Sequence, residues 1–243
     1  MVKGAGIEVD GRRADIGIIV GGDGVFSRCG RMESIPLLFV GVRSKTATGS
    51  KAYLAEAYFD ELPDVLRGVS KGEFKVKEFR RLRVLKSGRD LGEVFTDVYL
   101  QRGAESNCLR YRVKVTGGDA PLSELAIGDG VVVSTAAGAT GYYSYPDKIR
   151  GDNIHPEGHS SIATDEVGIC HLVPTYVDRE GSDIAPLRYK VSWGSVVELS
   201  ITRRADARLY GLGPDTGGVR VELGDKVSIV PSERTTKVIS LGA

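Results

Sequence analysis

Carboxamides are almost missing from this sequence: Asn107, Asn153 and Gln101 are the whole supply in 243 residues. Scarce thermolabile amides beside abundant charge form a thermophile's pattern. Cysteine is nearly as rare. Cys29, Cys108 and Cys170 lie far apart, an odd and dispersed set that argues against a disulfide framework and against a compact metal cluster. A reducing, cytoplasmic setting fits that usage. No apolar stretch approaches the roughly 18 residues of a membrane span. The opening MVKGAGIEVDGRRAD has no apolar signal core. Neither charge is in excess, since the formal net charge is +1. Without a basic field nucleic acid is not the expected partner, and without an acidic tail a solvating role is not expected either.

What is abundant is glycine, at 32 residues, and it punctuates short β-like runs. The apolar run DIGIIV, residues 15 to 20, predicts a buried parallel strand that runs straight into GGDG and then a short helix, VFSRCGRM. PLLFVG, from Pro36 to Gly41, predicts a second buried strand. After the loop VRSKTATGSK, residues Ala52 to Leu66 read as a helix interrupted near Pro63. Strand, glycine loop, helix, strand, loop, helix is the grammar of an open α/β sheet. From Phe74 the texture changes to alternating runs such as FKVKEFRRLRVLK, EVFTDVYLQ, LRYRVKVTG and GVVVSTA, split by Gly, Ser and Asp turns. YKVSWGSVV continues them, with Trp193 expected in a strand core. Tyr145 to Asp183 is irregular and reads as a long excursion at one edge of the β part. The expected architecture is therefore α/β plus all-β. Residues 1–75 form a small open α/β domain carrying GGDG, and residues 76–243 a larger antiparallel, β-sandwich-like domain.

The glycine loop has a chemical use. Glycine at a strand's end lets the backbone turn sharply and approach a ligand, and N–H groups at a helix start can hold phosphate. An acid in such a loop, Asp23, can accept a proton from an attacking hydroxyl or hold Mg²⁺. It can equally cap a strand-to-helix turn. A second segment, GDGVVVSTAAGATGYYSY from Gly128 to Tyr145, begins with an Asp-Gly turn and an apolar strand. It ends in small residues, then Thr140, Gly141 and Tyr142. Small residues admit a flat ligand, a hydroxyl donates and accepts, and Tyr stacks on a base or covers a core.

In order, GGDG, an acidic pair before a strand, and DG–apolar strand–TxxGxTxY, these motifs resemble the NAD kinase family. Its members read GGDGT, then Asn-Glu or Asn-Asp, then DG…TPTGSTAY. The matching stretches here are Gly21 to Val25, Thr96-Asp97 within VFTDVYLQRG, and Asp129 through Tyr142. The chain's end, through VRVELGDKVSIVP, is similar to the family's last hairpins. The pattern looks shortened at both ends and of archaeal type.

That resemblance implies transfer of a phosphoryl group from ATP or polyphosphate to the 2′-hydroxyl of NAD, giving NADP, with Asp23 taking the proton. Gly21, Gly22 and Gly24 would give room for donor phosphates, and Arg43 and Lys45 would grip them or form a solvated basic loop. Mg²⁺ would bridge the phosphates. Thr96, Asp97, Asp129, Thr140, Gly141 and Tyr142 would hold the acceptor nucleotide. A homo-oligomer, dimer or tetramer, is implied, since the family's β domains pack together. The departures bear on the acceptor. Val25 replaces a Thr, Thr96 an Asn, and Gly141 interrupts GSTAY. A kinase of the same superfamily acting on a polyol, nucleoside or lipid head group stays open, as does a non-catalytic nucleotide-binding relative.

Two other candidates remain. His155, His159, Cys170 and His171 lie with Asp152, Glu157, Asp165 and Glu166 in one stretch, but their spacing matches no compact zinc pattern. They read better as polar loop residues facing a substrate. No G-x-S-x-G elbow surrounds Ser134 or Ser160, which argues against a serine hydrolase.

Overall fold

The computed structural model describes residues 13–42, 51–118, 121–150, 161–182, 185–213 and 217–241. The chain divides into two compact units. One takes the residues up to Phe79 together with those from Thr235 onward, and the other is Arg80–Arg234. The expected second domain takes in everything after residue 75; in the structure the final strand's end belongs with the first unit.

In the first unit β1 (Gly17–Gly21) leads into α1 (Asp23–Met32), and β2 (Leu37–Gly41) pairs with β1 in parallel, Gly17 opposite Leu37 and Gly21 opposite Gly41. The short β3 (Ala57–Tyr58) pairs with β2, also in parallel. α2 (Leu62–Ser70) follows. Every residue of β2 is buried, as a parallel strand covered on both faces must be. Leu38 and Val40 pack with Leu62 and Leu66 of α2, while Phe39 stacks on Phe26 of α1 at 4.7 Å. The expected helix from Ala52 starts instead at Leu62. Pro63 lies in the first helical turn, where its missing N–H costs no intrahelical bond, so it opens the helix rather than interrupting it.

The second unit is a β-sandwich. β4 (Lys75–Lys86) runs from the first unit into it and pairs antiparallel with β5 (Arg89–Val94). The run EVFTDVYLQ breaks at Phe95-Thr96, so that β6 (Asp97–Arg102) is a separate strand. β7 (Leu109–Thr116), β8 (Leu122–Gly128) and β9 (Gly130–Ser134) come next. α3 (Tyr145–Arg150) precedes β10 (Glu166–Leu172), β11 (Tyr176–Arg179), β12 (Arg188–Ser192), β13 (Val196–Ile201), β14 (Ala207–Tyr210), β15 (Val219–Val221) and β16 (Val227–Ser240). One sheet has the order β12-β10-β9-β6-β14-β15; the other contains β13-β7-β8-β11, with the first part of β16 beside β13. Alternate residues of β7, from Leu109 to Val115, meet Val98, Leu100, Val131, Val133 and Ile169 in a shared core.

Two expectations are corrected here. The stretch expected as an edge excursion contains β10, which lies inside its sheet, paired to both β9 and β12. Being buried on both faces, it lacks the alternation that marks a half-exposed strand. Trp193 sits in the turn after β12, partly buried against the core, with the Arg80 guanidinium 5.4 Å from its ring. Among the described residues no helix is long and apolar enough to cross a membrane.

A polar network joins the two sheets. Glu124, 1% exposed, receives the Arg179 guanidinium at 2.7 Å and the Tyr189 hydroxyl, and lies 3.1 Å from His171 Nε2. His171 Nδ1 is 2.8 Å from the Tyr111 hydroxyl, which donates to the Gly130 carbonyl. Burial pushes the Glu124 carboxyl up, but the bonds from His171, Tyr189 and Arg179 outweigh it and hold it below the usual range. Its stabilising contribution is therefore full above the ordinary glutamate range and is lost as pH falls through the lowered folded value. Glu124→Ala leaves Arg179 and His171 without their acceptor and should cost about 3–5 kcal/mol in urea unfolding at pH 7. The gap between wild type and variant should narrow in acid. A loss below about 1 kcal/mol would mean the network carries no such weight.

Candidate functional site

In the first unit Asp23 is the first residue of α1, directly after the end of β1. Gly22 is the N-cap and gives no side-chain cap, and its carbonyl takes the Val25 and Phe26 N–H groups at 2.9 and 3.1 Å. Asp23 thus does not cap the helix in the way the plain turn reading required. Its Oδ1 accepts the N–H of Leu54, 31 residues away, at 2.9 Å. Phe26 is fully buried and anchors the helix on Phe39, which fixes Asp23 one turn earlier at the sheet's end. Gly24 is exposed, and a Cβ built there meets nothing within 4 Å. A helix start with a bare glycine face is a natural approach for phosphate oxygens.

In the second unit Asp97 begins β6, paired with Ser134 at the end of β9. The strand's other neighbour, β14, brings Tyr210 opposite Tyr99. Asp97 and Tyr99 are two apart and share one face of the sheet. The segment after β9 folds over that face. A Cβ on Gly138 would come 2.3 Å from the Thr96 carbonyl, and one on Gly141 would meet Asp97 Oδ2 at 3.0 Å, so both positions need a small residue. The Tyr142 ring, 49% exposed, packs edge-on against Tyr99 at 5.0 Å, and Tyr99 stacks on Tyr210 at 5.4 Å. The Thr96 hydroxyl donates to Asp97 Oδ1 at 3.3 Å. Burial pushes the Asp97 carboxyl up to about 6, against that hydrogen bond, which lowers it. α3, which follows the covering segment, is tied down by a two-pronged pair between Arg188 and Asp147 at 2.7 and 3.0 Å.

Of the residues expected at an acceptor site, the structure brings together Thr96, Asp97, Gly141 and Tyr142. Thr140 adjoins them, its carbonyl taking the Ser144 hydroxyl and the Lys148 ammonium. Asp129 is elsewhere: it pairs with Arg102 Nε at 2.8 Å, at the far end of β6. With Gln101 opposite Gly130, that is about 15 Å along the strand from Asp97. Arg43, Lys45, His155 and His159 lie outside the described residues. Cys170 and His171 are buried in β10, and His171 serves the core network rather than a loop. Among the described residues no three His, Cys, Asp or Glu side chains gather in a way that could hold a metal ion. Tyr99 and Tyr210 were missed by the sequence reading. The signal for Tyr99 was its position two residues after Asp97; Tyr210 had none, because only the sheet register brings it alongside.

These two arrangements were compared with known proteins. No family model matches the chain. Curated sequences do. The NAD kinase of Methanopyrus kandleri is 29% identical over 157 residues, covering 63% of this chain and 52% of that protein. The NAD kinase of Geobacter sulfurreducens is 26% identical over 234 residues, covering 93% of this chain and 73% of its own length. Over most of its length the chain is similar to NAD kinases, at 25–27% identity. Its fold is that of solved NAD and NADH kinases. Yeast NADH kinase complexed with NADH superposes with a TM-score of 0.69 at 17% identity, covering 94% of this chain and 62% of that one. An NAD kinase from Archaeoglobus fulgidus in complex with ATP gives a TM-score of 0.62 at 18% identity, covering 97% of this chain and 83% of that one. The NAD kinase-like α/β plus β-sandwich organisation was thus legible in the motifs.

Asp97 supplies a test that needs no substrate. Its folded carboxyl titrates near 6, above the ordinary aspartate value of about 4, so stability falls as pH rises between the two and the cost is full above 6. Asp97→Asn should remove that cost and stabilise the protein at pH 7 by up to about 3 kcal/mol, with no gain below pH 4. An equal or lower melting temperature for the variant at pH 7 would show that the carboxylate bears no such penalty.

Proposed function

We propose that this protein transfers the terminal phosphoryl group of ATP to the 2′-hydroxyl of NAD, forming NADP. The observation that carries the reading is Asp23, a carboxylate held by a backbone N–H at the start of α1, beside a glycine that leaves the helix end open. The transition state of such a transfer is loose, and the proton leaves the attacking hydroxyl late. Placement of the accepting carboxylate then matters more than its basicity. Asp23 accepts that proton, while Gly21, Gly22 and Gly24 admit the donor phosphates to the helix N-terminus, where the dipole favours anions. Arg43 and Lys45 add cationic grip on the same phosphates.

The second unit provides for the acceptor. Asp97 accepts hydrogen bonds from hydroxyls, and Tyr142, backed by Tyr99 and Tyr210, offers a ring face for stacking. Thr96, Thr140 and Gly141 shape that patch. A polyol or lipid head group has no ring to use it, so the aromatic set favours a nucleotide. Asp129 joins the acceptor set on the strength of the family motif alone. The curated relatives named NAD kinase and the solved complexes with NADH and with ATP support both substrates. Mg²⁺ would come with the donor, because this ion is typically held by one or two carboxylates together with phosphate oxygens and water. When bound it neutralises charge on the transferring phosphoryl group. The same reading takes in a homo-oligomer and a thermophilic, cytoplasmic setting, supported by the family likeness, the scarcity of amides and the sparse cysteines.

Incubation with Mg²⁺ and ATP, or with polyphosphate, and a panel of acceptors including NAD should yield NADP. Asp23→Asn should lower turnover by about 10²–10⁴-fold. Product from another acceptor but not from NAD would sink the NAD assignment, and full activity in Asp23→Asn would sink the role of Asp23. Gly24→Ala separates ligand approach from folding. A methyl there meets no protein atom within 4 Å and improves helix propensity, so the melting temperature should hold or rise. KM for ATP should nonetheless increase about tenfold or more, a loss of about 1.4 kcal/mol in binding. Unchanged ATP kinetics would place the phosphates elsewhere.

A further inference from the structure

Asp23 is held by a turn whose own geometry is unusual. Ala52 has φ +49, a left-handed conformation that a residue with a Cβ seldom adopts, and it is 3% exposed. The Ala55 N–H closes the turn onto the Ala52 carbonyl at 3.0 Å. Between them Leu54 presents its N–H to Asp23 Oδ1. The chain just beyond is fastened to β2, with the Glu56 N–H on the Phe39 carbonyl at 3.0 Å and the Phe59 N–H on the Gly41 carbonyl at 2.9 Å. The turn itself lies against Gly41. A Cβ built on Gly41 would come 2.9 Å from Ala52 Cβ, and 3.1 Å from both Ala55 Cβ and Tyr58 Cδ1. Strain held by surrounding contacts is a common feature of sites where one group must be kept in place.

We propose that the Ala52–Ala55 turn, lodged on the bare backbone of Gly41, is a positioning device for Asp23: it aims the Leu54 N–H at Oδ1 and so fixes the plane of the carboxylate. Gly41 and Ala52 are positioning residues that touch no reacting atom. The proposal rests on Asp23 being the proton acceptor. The length of one methyl at Gly41 governs where the turn sits, and a displacement of an ångström or less at a reacting group can cost about a hundredfold in rate.

Gly41→Ala tests this in the full chain. The added methyl should shift the turn outward. kcat for NADP formation should fall about tenfold or more, while KM for NAD and for ATP stays within about twofold, the signature of a misplaced group rather than lost binding. The melting temperature should drop by only a few degrees, about 4 °C for 1 kcal/mol at this size. Adding Ala52→Gly to Gly41→Ala removes the nearest clash and suits the positive φ, so most of the lost kcat should return. Amide hydrogen exchange gives a readout without catalysis. Leu54 should be protected in the wild type and exchange about tenfold faster in Gly41→Ala. If the wild type forms no NADP, the kinase reading fails, and Leu54 exchange alone then decides whether the turn holds Asp23. Unchanged Leu54 exchange in a folded Gly41→Ala variant, or a kcat that the second substitution does not restore, overturns the proposal.

Discussion

Strand β2 is buried along its whole length, and the placement of Asp23 depends on that burial. One face takes Phe26 and through it α1; the other takes Leu62 and Leu66 and through them α2. A fully buried phenylalanine contributes about 1.5–3 kcal/mol relative to exposure, so α1 has a strong reason to rest where Phe26 meets Phe39. Asp23 lies three residues before Phe26 and has little freedom once that ring is placed. The same strand ends in Gly41, which supports the turn that reaches Asp23 from the other side. The apolar core and the polar site are therefore one construction. The carboxylate's position follows from side chains that never touch a substrate.

The second unit works under a different constraint, close approach of backbones. Gly130, at φ +145, lies where a Cβ would meet the Leu100 carbonyl at 1.9 Å, and Gly211, at φ +96, where one would meet the Asp97 carbonyl at 2.4 Å. Gly211, Gly138 and Gly141 let neighbouring backbone and a covering segment crowd around Asp97, while Gly130 permits the same close approach at the far end of β6. Crowding removes water, and removing water raises the carboxyl. A group kept at such a cost is the usual mark of a site shaped by binding rather than by stability.

What the sequence disclosed and what it withheld divide along physical lines. β1, the glycine loop and β2 were readable because a parallel strand buried on both faces is an unbroken apolar run, and the glycine loop is local. Thr96, Asp97, Gly141 and Tyr142 were readable through motif order, and the sheet register brings them together. β10 was obscured because GICHL neither alternates nor lacks polar residues. His171 looked like a loop ligand, yet its partners Tyr111 and Glu124 lie 60 and 47 residues away. No spacing rule encodes a pair so distant. Asp129 stands apart for the opposite reason: its motif is contiguous with Tyr142 in sequence, but a five-residue strand carries the two to opposite ends. Leu54 was invisible in principle, since its contribution is a backbone N–H that every residue but proline carries.

The raised carboxyl also says something about the kind of ligand that suits Asp97. An ionised group in a crowded setting is under-solvated, and a ligand that donates hydroxyl protons to it relieves the deficit. A ligand that brings a phosphate to the same place worsens it. Discrimination of this sort comes from the cost of the wrong pairing as much as from the gain of the right one. On the proposed reading, the patch built by Asp97, Tyr99 and Tyr142 would suit a neutral sugar hydroxyl joined to a planar ring. Phosphates are better served at the start of α1, where glycine and a helix dipole replace the carboxylate's repulsion with N–H groups. On the proposed reading, the start of α1 suits anions and the uptake of a proton, and the Asp97 patch suits the hydroxyls and ring of a nucleoside.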